Sequence, residues 1–172
     1  MSVPESNPLI DIGANLTHDV FKDDLAEVLA RAAAQDVGQM VVTGASLQGS
    51  RDAVALAEQH PLQLFATAGI HPHHADEATP EIMAAIRLLA MRPETRAVGE
   101  TGLDFYRDLS PREVQIAAFE RHIELAIETG LPMFLHERDA FPAMAEILRP
   151  YRHDLGALVI HCFTGDATAL HS

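Results

Sequence analysis

Several acids and histidines in this chain sit where a short apolar run gives way to polar residues. Glu100 and Asp104 lie in Val98-Gly99-Glu100-Thr101-Gly102-Leu103-Asp104, and His136 lies in Phe134-Leu135-His136-Glu137-Arg138. His161 ends Ala157-Leu158-Val159-Ile160-His161, and His71, His73 and His74 follow Ala68-Gly69-Ile70. Asp11 and Asn15 close a first run. Neutral imidazoles and a carboxylate that converge on one point bind a divalent cation. Glu100 has two oxygens and can bridge two cations about 3.5–4 Å apart. A divalent cation lowers the pKa of water it binds, so metal-assisted hydrolysis is the reaction class these residue types imply.

The plainer reading applies residue by residue. A lone histidine at a strand end is more often solvated or hydrogen-bonded than ligating. His18, His60, His122, His153 and His171 are read that way. The turn from His71 to His74 reads most simply as an exposed loop stiffened by Pro72. Cys162 reads as a small buried thiol, and Asp108, Arg112 and Glu113 as a solvated helix start. Glu100, His136 and His161 differ, because they arrive in register from consecutive strand ends.

The elements that must position them recur along the chain. Apolar runs begin near Leu9, Gln39, Leu64, Thr95, Pro132 and Ala157, with starts 30, 25, 31, 37 and 25 residues apart. Segments of helical periodicity fill the gaps, as in βα units of about 30 residues. Helices are predicted over 23–35, 47–60 and 141–149. Thr79-Pro80 opens another, which Pro93 closes. Ser110, Pro111 and Glu113 read as an N-cap, a first-turn proline and a capping-box acid, and Gly130 as the helix end. The runs 39–42, 64–68 and 157–160 hardly alternate, which predicts strands buried on both faces of a parallel sheet. The class is α/β. On pattern alone a doubly wound sheet and a (β/α)8 barrel both fit, and in either one the strands' C-terminal ends carry the site.

Composition narrows the partners. With 172 residues, 48% hydrophobic and 22% charged, residues 1–172 read as a single globular domain. Cys162 is the only cysteine, which points to a reducing, cytoplasmic setting. Met1 to Pro8 lacks the basic and apolar parts of a secretory leader, and no apolar run reaches the ~18 residues of a membrane span. Net charge is −13, from 25 acids against 12 bases, which excludes a broad basic footprint for duplex nucleic acid. Bound cations can still carry phosphate contacts.

Five stretches in order resemble the TatD-type metal-dependent deoxyribonucleases. They are Asp11-Ile12-Gly13-Ala14-Asn15-Leu16-Thr17, Ala68-Gly69-Ile70-His71-Pro72-His73, Val98 to Phe105, Phe134-Leu135-His136-Glu137-Arg138-Asp139-Ala140 and Ile160-His161-Cys162-Phe163-Thr164-Gly165. The resemblance implies a TIM barrel, here its first five to six βα units. It implies a divalent-metal hydrolase of 3′→5′ exonuclease type, acting on single strands or ends of DNA, with links to repair. Glu100 matches the family's metal-bridging glutamate, and His136 and His161 match its single-histidine ligands. His71 and His73 match a loop that meets the substrate phosphate, and Arg138 stands beside His136 as a second anion contact. Mg²⁺ is the expected ion, with Mn²⁺ or Zn²⁺ as alternatives.

Two departures shape the expectations. Most of the family carries a His-x-His pair where this chain has Gly13 and Asn15. The chain instead resembles the Asp-Ile-Gly-x-Asn-Leu version of the TatD branch, which implies a weaker, oxygen-rich second metal site. The family's late metal-ligating aspartate and last two strands would fall beyond Ser172, so an open sheet with exposed edges and apolar inner surface is expected. Two alternatives remain beside the nuclease: hydrolysis of another ester or amide, such as an aminoacyl-tRNA ester, and a catalytically inactive fragment. No motif in the chain specifies an oligomeric state.

Overall fold

Among the described residues, six strands form where the apolar runs predict them: β1 (Leu9–Ala14), β2 (Val37–Val42), β3 (Leu64–Ala68), β4 (Thr95–Asp104), β5 (Met133–Arg138) and β6 (Leu158–His161). The computed structural model describes residues 8–170, so His171 lies outside the described residues. Every adjacent pair is parallel, and the sheet order is β1-β2-β3-β4-β5-β6. That order decides between the two α/β arrangements. A doubly wound sheet reverses its strand order at a switch point, whereas barrel strands follow one another in sequence.

The connecting helices are α1 (Leu25–Ala33), α2 (Leu47–Gln59), α3 (Pro80–Ala90), α4 (Arg112–Thr129), α5 (Phe141–Leu148) and α6 (Ala167–Leu170). Thr79 caps α3 by accepting from the Ile82 N–H at 3.3 Å, and Gly130 ends α4 at φ 67°. The other predicted cap is corrected. Ser110 makes no cap for α4; it is buried, and its hydroxyl donates to the His73 carbonyl at 3.3 Å. The buried Gln115 amide bonds the Ser110 carbonyl at 2.8 Å, so this segment is tied inward.

The core lies between helices and sheet in two parts. One packs Leu29, Val54 and Ala57 of α1 and α2 against Met40, Val42 and Leu64. The other packs Ile86, Phe119, Ile123 and Met144 against Val98, Leu103, Met133 and Leu135. Phe119 and Ile123 are fully buried, and each such side chain contributes about 1.5–3 kcal/mol by leaving water.

The edges behave as an open sheet should. β1 and β6 each have one strand neighbour among the described residues. Leu9, Ile10 and Ile12 are exposed, as are Leu158 and Val159. The expectation that 157–160 is buried on both faces is therefore corrected, because an edge strand lacks the second neighbour that would cover it.

Candidate active site

β4 is built to turn one carboxylate out of its ladder. Gly99 pairs with Phe134 and Thr101 pairs with Leu135, which leaves Glu100 as the extra residue of a bulge. Gly99 and Gly102 have φ of 142° and 140°. A Cβ on either would stand 2.1 or 2.2 Å from the carbonyl oxygen of Phe134 or His136, so only glycine lets β4 and β5 approach this closely. The Glu100 N–H donates to the Gly44 carbonyl at 2.8 Å, fixing the bulge against the loop after β2. Glu100 and Asp104 thus lie within β4, not after it; pairing resumes beyond the bulge and runs to Asp104–Arg138. Across the next pair, His136 is directly beside His161.

Three imidazoles face one Glu100 oxygen. Oε1 stands 3.1 Å from His136 Nδ1, 2.9 Å from His161 Nε2 and 3.6 Å from His71 Nε2. Burial alone would raise the Glu100 pKa. The bonds to His136 and His161 outweigh it and hold the carboxyl at about 2. Its bond to Glu100 raises the His161 pKa in turn. Burial pushes His71 down to about 3, so that ring is neutral. Donors bound tetrahedrally at about 2.0–2.1 Å from one ion sit about 3.4 Å apart. Glu100 Oε1 lies somewhat closer than that to His136 Nδ1 and His161 Nε2, at 3.1 and 2.9 Å, so one carboxylate oxygen and two imidazoles converge on one point.

A second carboxylate closes the other side. Asp104 Oδ2 is 2.7 Å from His73 Nε2 and 3.3 Å from His136 Nε2. Its Oδ1 accepts the N–H groups of Tyr106 at 3.1 Å and Arg107 at 2.8 Å. Burial works against ionisation of Asp104, but the Arg107 N–H and His73 more than offset it and lower the pKa. His71, His73 and His136 form one group able to share an ion, and His136, His161 and Cys162 form another.

The turn carrying His71 and His73 is not the exposed loop of the plainer reading. His71 and Pro72 are buried, and a 3-10 turn over Pro72–Glu77 follows. His71 Nδ1 accepts the His73 N–H at 3.1 Å, and the His71 N–H donates to the Ala45 carbonyl at 2.9 Å. Cys162 is also corrected: it is exposed on the open side of β6, with Sγ 3.2 Å from His161 Nε2. Desolvation of the sulfur, followed by the Glu100 charge, raises its pKa and keeps it a thiol.

Sequence reasoning assigned no role to three residues that hold the site. Asp104 is one. His122 is the second: it is fully buried, its Nε2 accepts the Ile70 N–H at 3.0 Å, and its Nδ1 donates to the Ala118 carbonyl at 2.7 Å. It thereby pins the backbone one residue before His71. The signal was present, since His122 shares the buried stripe of α4 with Phe119, Ile123 and Ala126. Glu137 is the third: it is fully buried and accepts the N–H groups of Ala140 at 2.8 Å and Thr164 at 2.9 Å, joining the segments that follow β5 and β6.

The remaining expected residues lie around this cluster. The Arg138 guanidinium sits 4.2 Å from the centroid of the Tyr106 ring, at the C-terminal end of β5. At the end of β1, a Cβ on Gly13 would stand 3.0 Å from Phe134 Cζ, and Asn15 is exposed. Phe134 in turn stacks on His161, with ring centroids 5.2 Å apart. Strand one therefore supplies no imidazole here.

The sequence pattern of the TatD related DNase family matches residues 10–172. The chain belongs to that family. It is 44% identical over 164 residues to the 3′-5′ ssDNA/RNA exonuclease TatD of Erwinia tasmaniensis, covering 95% of this chain and 63% of that protein. Against the 3′-5′ ssDNA/RNA exonuclease TatD of Enterobacter lignolyticus the identity is 45% over 157 residues, covering 91% and 60%. The crystal structure of YJJV, a TatD homolog from Escherichia coli K12, superposes with a TM-score of 0.86 at 29% identity, over 95% of this chain and 63% of that one. A hydrolase TatD family protein from Entamoeba histolytica gives 0.86 at 26% identity, over 96% and 61%. The six-stranded sheet is thus the TatD barrel arrangement. The chain spans about 60–63% of the length of these TatD exonucleases. None of the described helices is long and apolar enough to cross a membrane.

Proposed function

We propose that this chain, as one domain over 1–172, carries the metal centre of a nuclease that removes nucleotides from the 3′ ends of single-stranded DNA or RNA. The observation that carries the reading is the convergence of His136 and His161 on one oxygen of an ionised Glu100, at 3.1 and 2.9 Å. The names of the relatives support the substrate class. Glu100, His136 and His161 would hold the ion and are the proposed catalytic set. Mg²⁺ is the ion proposed, with Mn²⁺ or Zn²⁺ as alternatives. When bound, such an ion supplies Lewis acidity toward the phosphate and activates water.

The chain's own groups divide the remaining work. Glu100 brings the negative charge that offsets the cation. Asp104 stands on the opposite edge of the His136 ring and fixes its orientation. His71 Nδ1 accepts a backbone N–H, so its one proton sits on Nε2, facing the site as a donor. A donor there suits a phosphate oxygen. His73, oriented by Asp104, and Arg138, two residues beyond His136, are the further phosphate contacts proposed. The single cysteine supports a reducing, cytoplasmic setting.

The test is nucleotide release from 5′-labelled single strands, with Mg²⁺ or EDTA, for wild type and His136→Ala. The reading predicts stepwise 3′ shortening that needs Mg²⁺ and falls at least about a hundredfold in the variant. Equal shortening by His136→Ala, or by both proteins in EDTA, overturns it.

A further inference from the structure

We infer that Tyr106, backed by Arg138, is a stacking subsite for an unpaired nucleobase of the strand held at the Glu100–His136 centre. The inference rests on the nuclease reading and adds the part of the substrate that the histidine cluster does not address.

The ring is out of place for a core residue. Tyr106 is 61% exposed, while Phe119 and Phe134 are buried. It is nevertheless held. The Arg138 guanidinium lies 4.2 Å from its centroid, a cation–π contact that orients both groups. Its backbone is fixed from two sides. The N–H groups of Tyr106 and Arg107 donate to Asp104 Oδ1 at 3.1 and 2.8 Å, and the Phe105 N–H donates to the Arg138 carbonyl at 2.9 Å. The other Asp104 oxygen is the one that touches His73 and His136. One buried carboxylate therefore fixes the turn that presents the ring and the imidazoles that face the centre.

Distance and charge point to a base as the occupant. Tyr106 follows Asp104 by two residues, and Arg138 follows His136 by two, so each lies within about 7 Å of the cluster along its backbone. That is the reach of one nucleotide from its phosphate. In a chain of net charge −13, an exposed ring flanked by Arg107 and Arg138 pairs a flat apolar face with cations. Single strands are bound by that combination, with bases on aromatic faces and arginines near the backbone. Stacking tolerates every base, and a paired base inside a duplex offers no free face. The subsite thus selects single strands without reading sequence.

The test crosses a deletion in the protein with a deletion in the substrate. Two oligonucleotides differ only in whether the last two nucleotides carry bases or are abasic. Their terminal linkages are phosphorothioate for binding by fluorescence anisotropy, and ordinary phosphodiester for turnover. Tyr106→Ala should weaken binding of the intact strand by about tenfold, with the loss in turnover falling on KM rather than kcat. Tyr106→Phe should restore tight binding, because the ring and not the hydroxyl stacks. On the abasic strand, wild type and Tyr106→Ala should bind alike. A loss of equal size on both strands, or no loss on either, overturns the subsite. If the chain binds strands with this base dependence but never cleaves them, the subsite stands and the nuclease reading falls. If it cleaves them without base dependence, the subsite alone falls. A chain that neither binds nor cleaves overturns both.

Discussion

At the scale of single residues, His122 separates position from chemistry. It touches neither Glu100 nor the imidazoles around it. It holds the Ile70 N–H, and through it the backbone that leads into His71. Burial pushes its pKa down to about 4, from an ordinary 6.5. Folded protein therefore keeps it neutral while unfolded chain protonates it first. The stability this gives is complete above pH 6.5 and is lost as pH falls toward 4. Thermal melts at pH 7, 5.5 and 4.5 should show wild type losing about 2 kcal/mol over that range beyond the loss in His122→Gln. Parallel pH curves for the two proteins would contradict this. An amide offers both a donor and an acceptor, so His122→Gln should also keep the His71 turn in place.

At the scale of elements, the strands were legible because their apolar runs are, and His136 and His161 drew notice because they stand near the ends of those runs. Where the sequence was silent, the cause was local geometry without a residue signature. A bulge at Glu100 does not alter composition, so β4 appeared to stop early. Ser110 has the residue type of a cap, but the His73 carbonyl and Gln115 draw it inward. Cys162 looked like a core thiol because burial beyond β6 depends on a neighbour and not on the run itself. The bulge also yields a prediction. Gly99→Ala would place a methyl 2.1 Å from the Phe134 carbonyl at a φ of 142°. It should cost roughly 2–5 kcal/mol in urea melts and displace Glu100, weakening metal uptake as well. A variant with wild-type stability would show that the β4–β5 approach is looser than this geometry.

At the scale of the whole molecule, charge and apolar edges oppose each other. Leu9, Ile10 and Ile12 on β1 and Leu158 and Val159 on β6 are exposed beside strand edges that no second strand pairs among the described residues, which favours association. A net charge of −13 resists it by mutual repulsion. Salt screens the repulsion over about 10 Å at 0.1 M and leaves the apolar term intact. Light scattering on the 172-residue chain should therefore show mass rising with salt, and Ile12→Lys with Val159→Lys should suppress the rise. A mass independent of salt would contradict this balance. The sequence foretold the open edges only through the resemblance, because no residue pattern in β6 marks it as an edge.

We propose that Glu100, His136 and His161 together hold a divalent ion. Mn²⁺ titration followed by electron paramagnetic resonance reads this directly, without substrate or turnover. The expected result is saturable Mn²⁺ uptake by the wild-type chain, weakened at least about a hundredfold by His136→Ala at unchanged circular dichroism. Uptake of equal strength in both proteins, or none in the wild type, would contradict it.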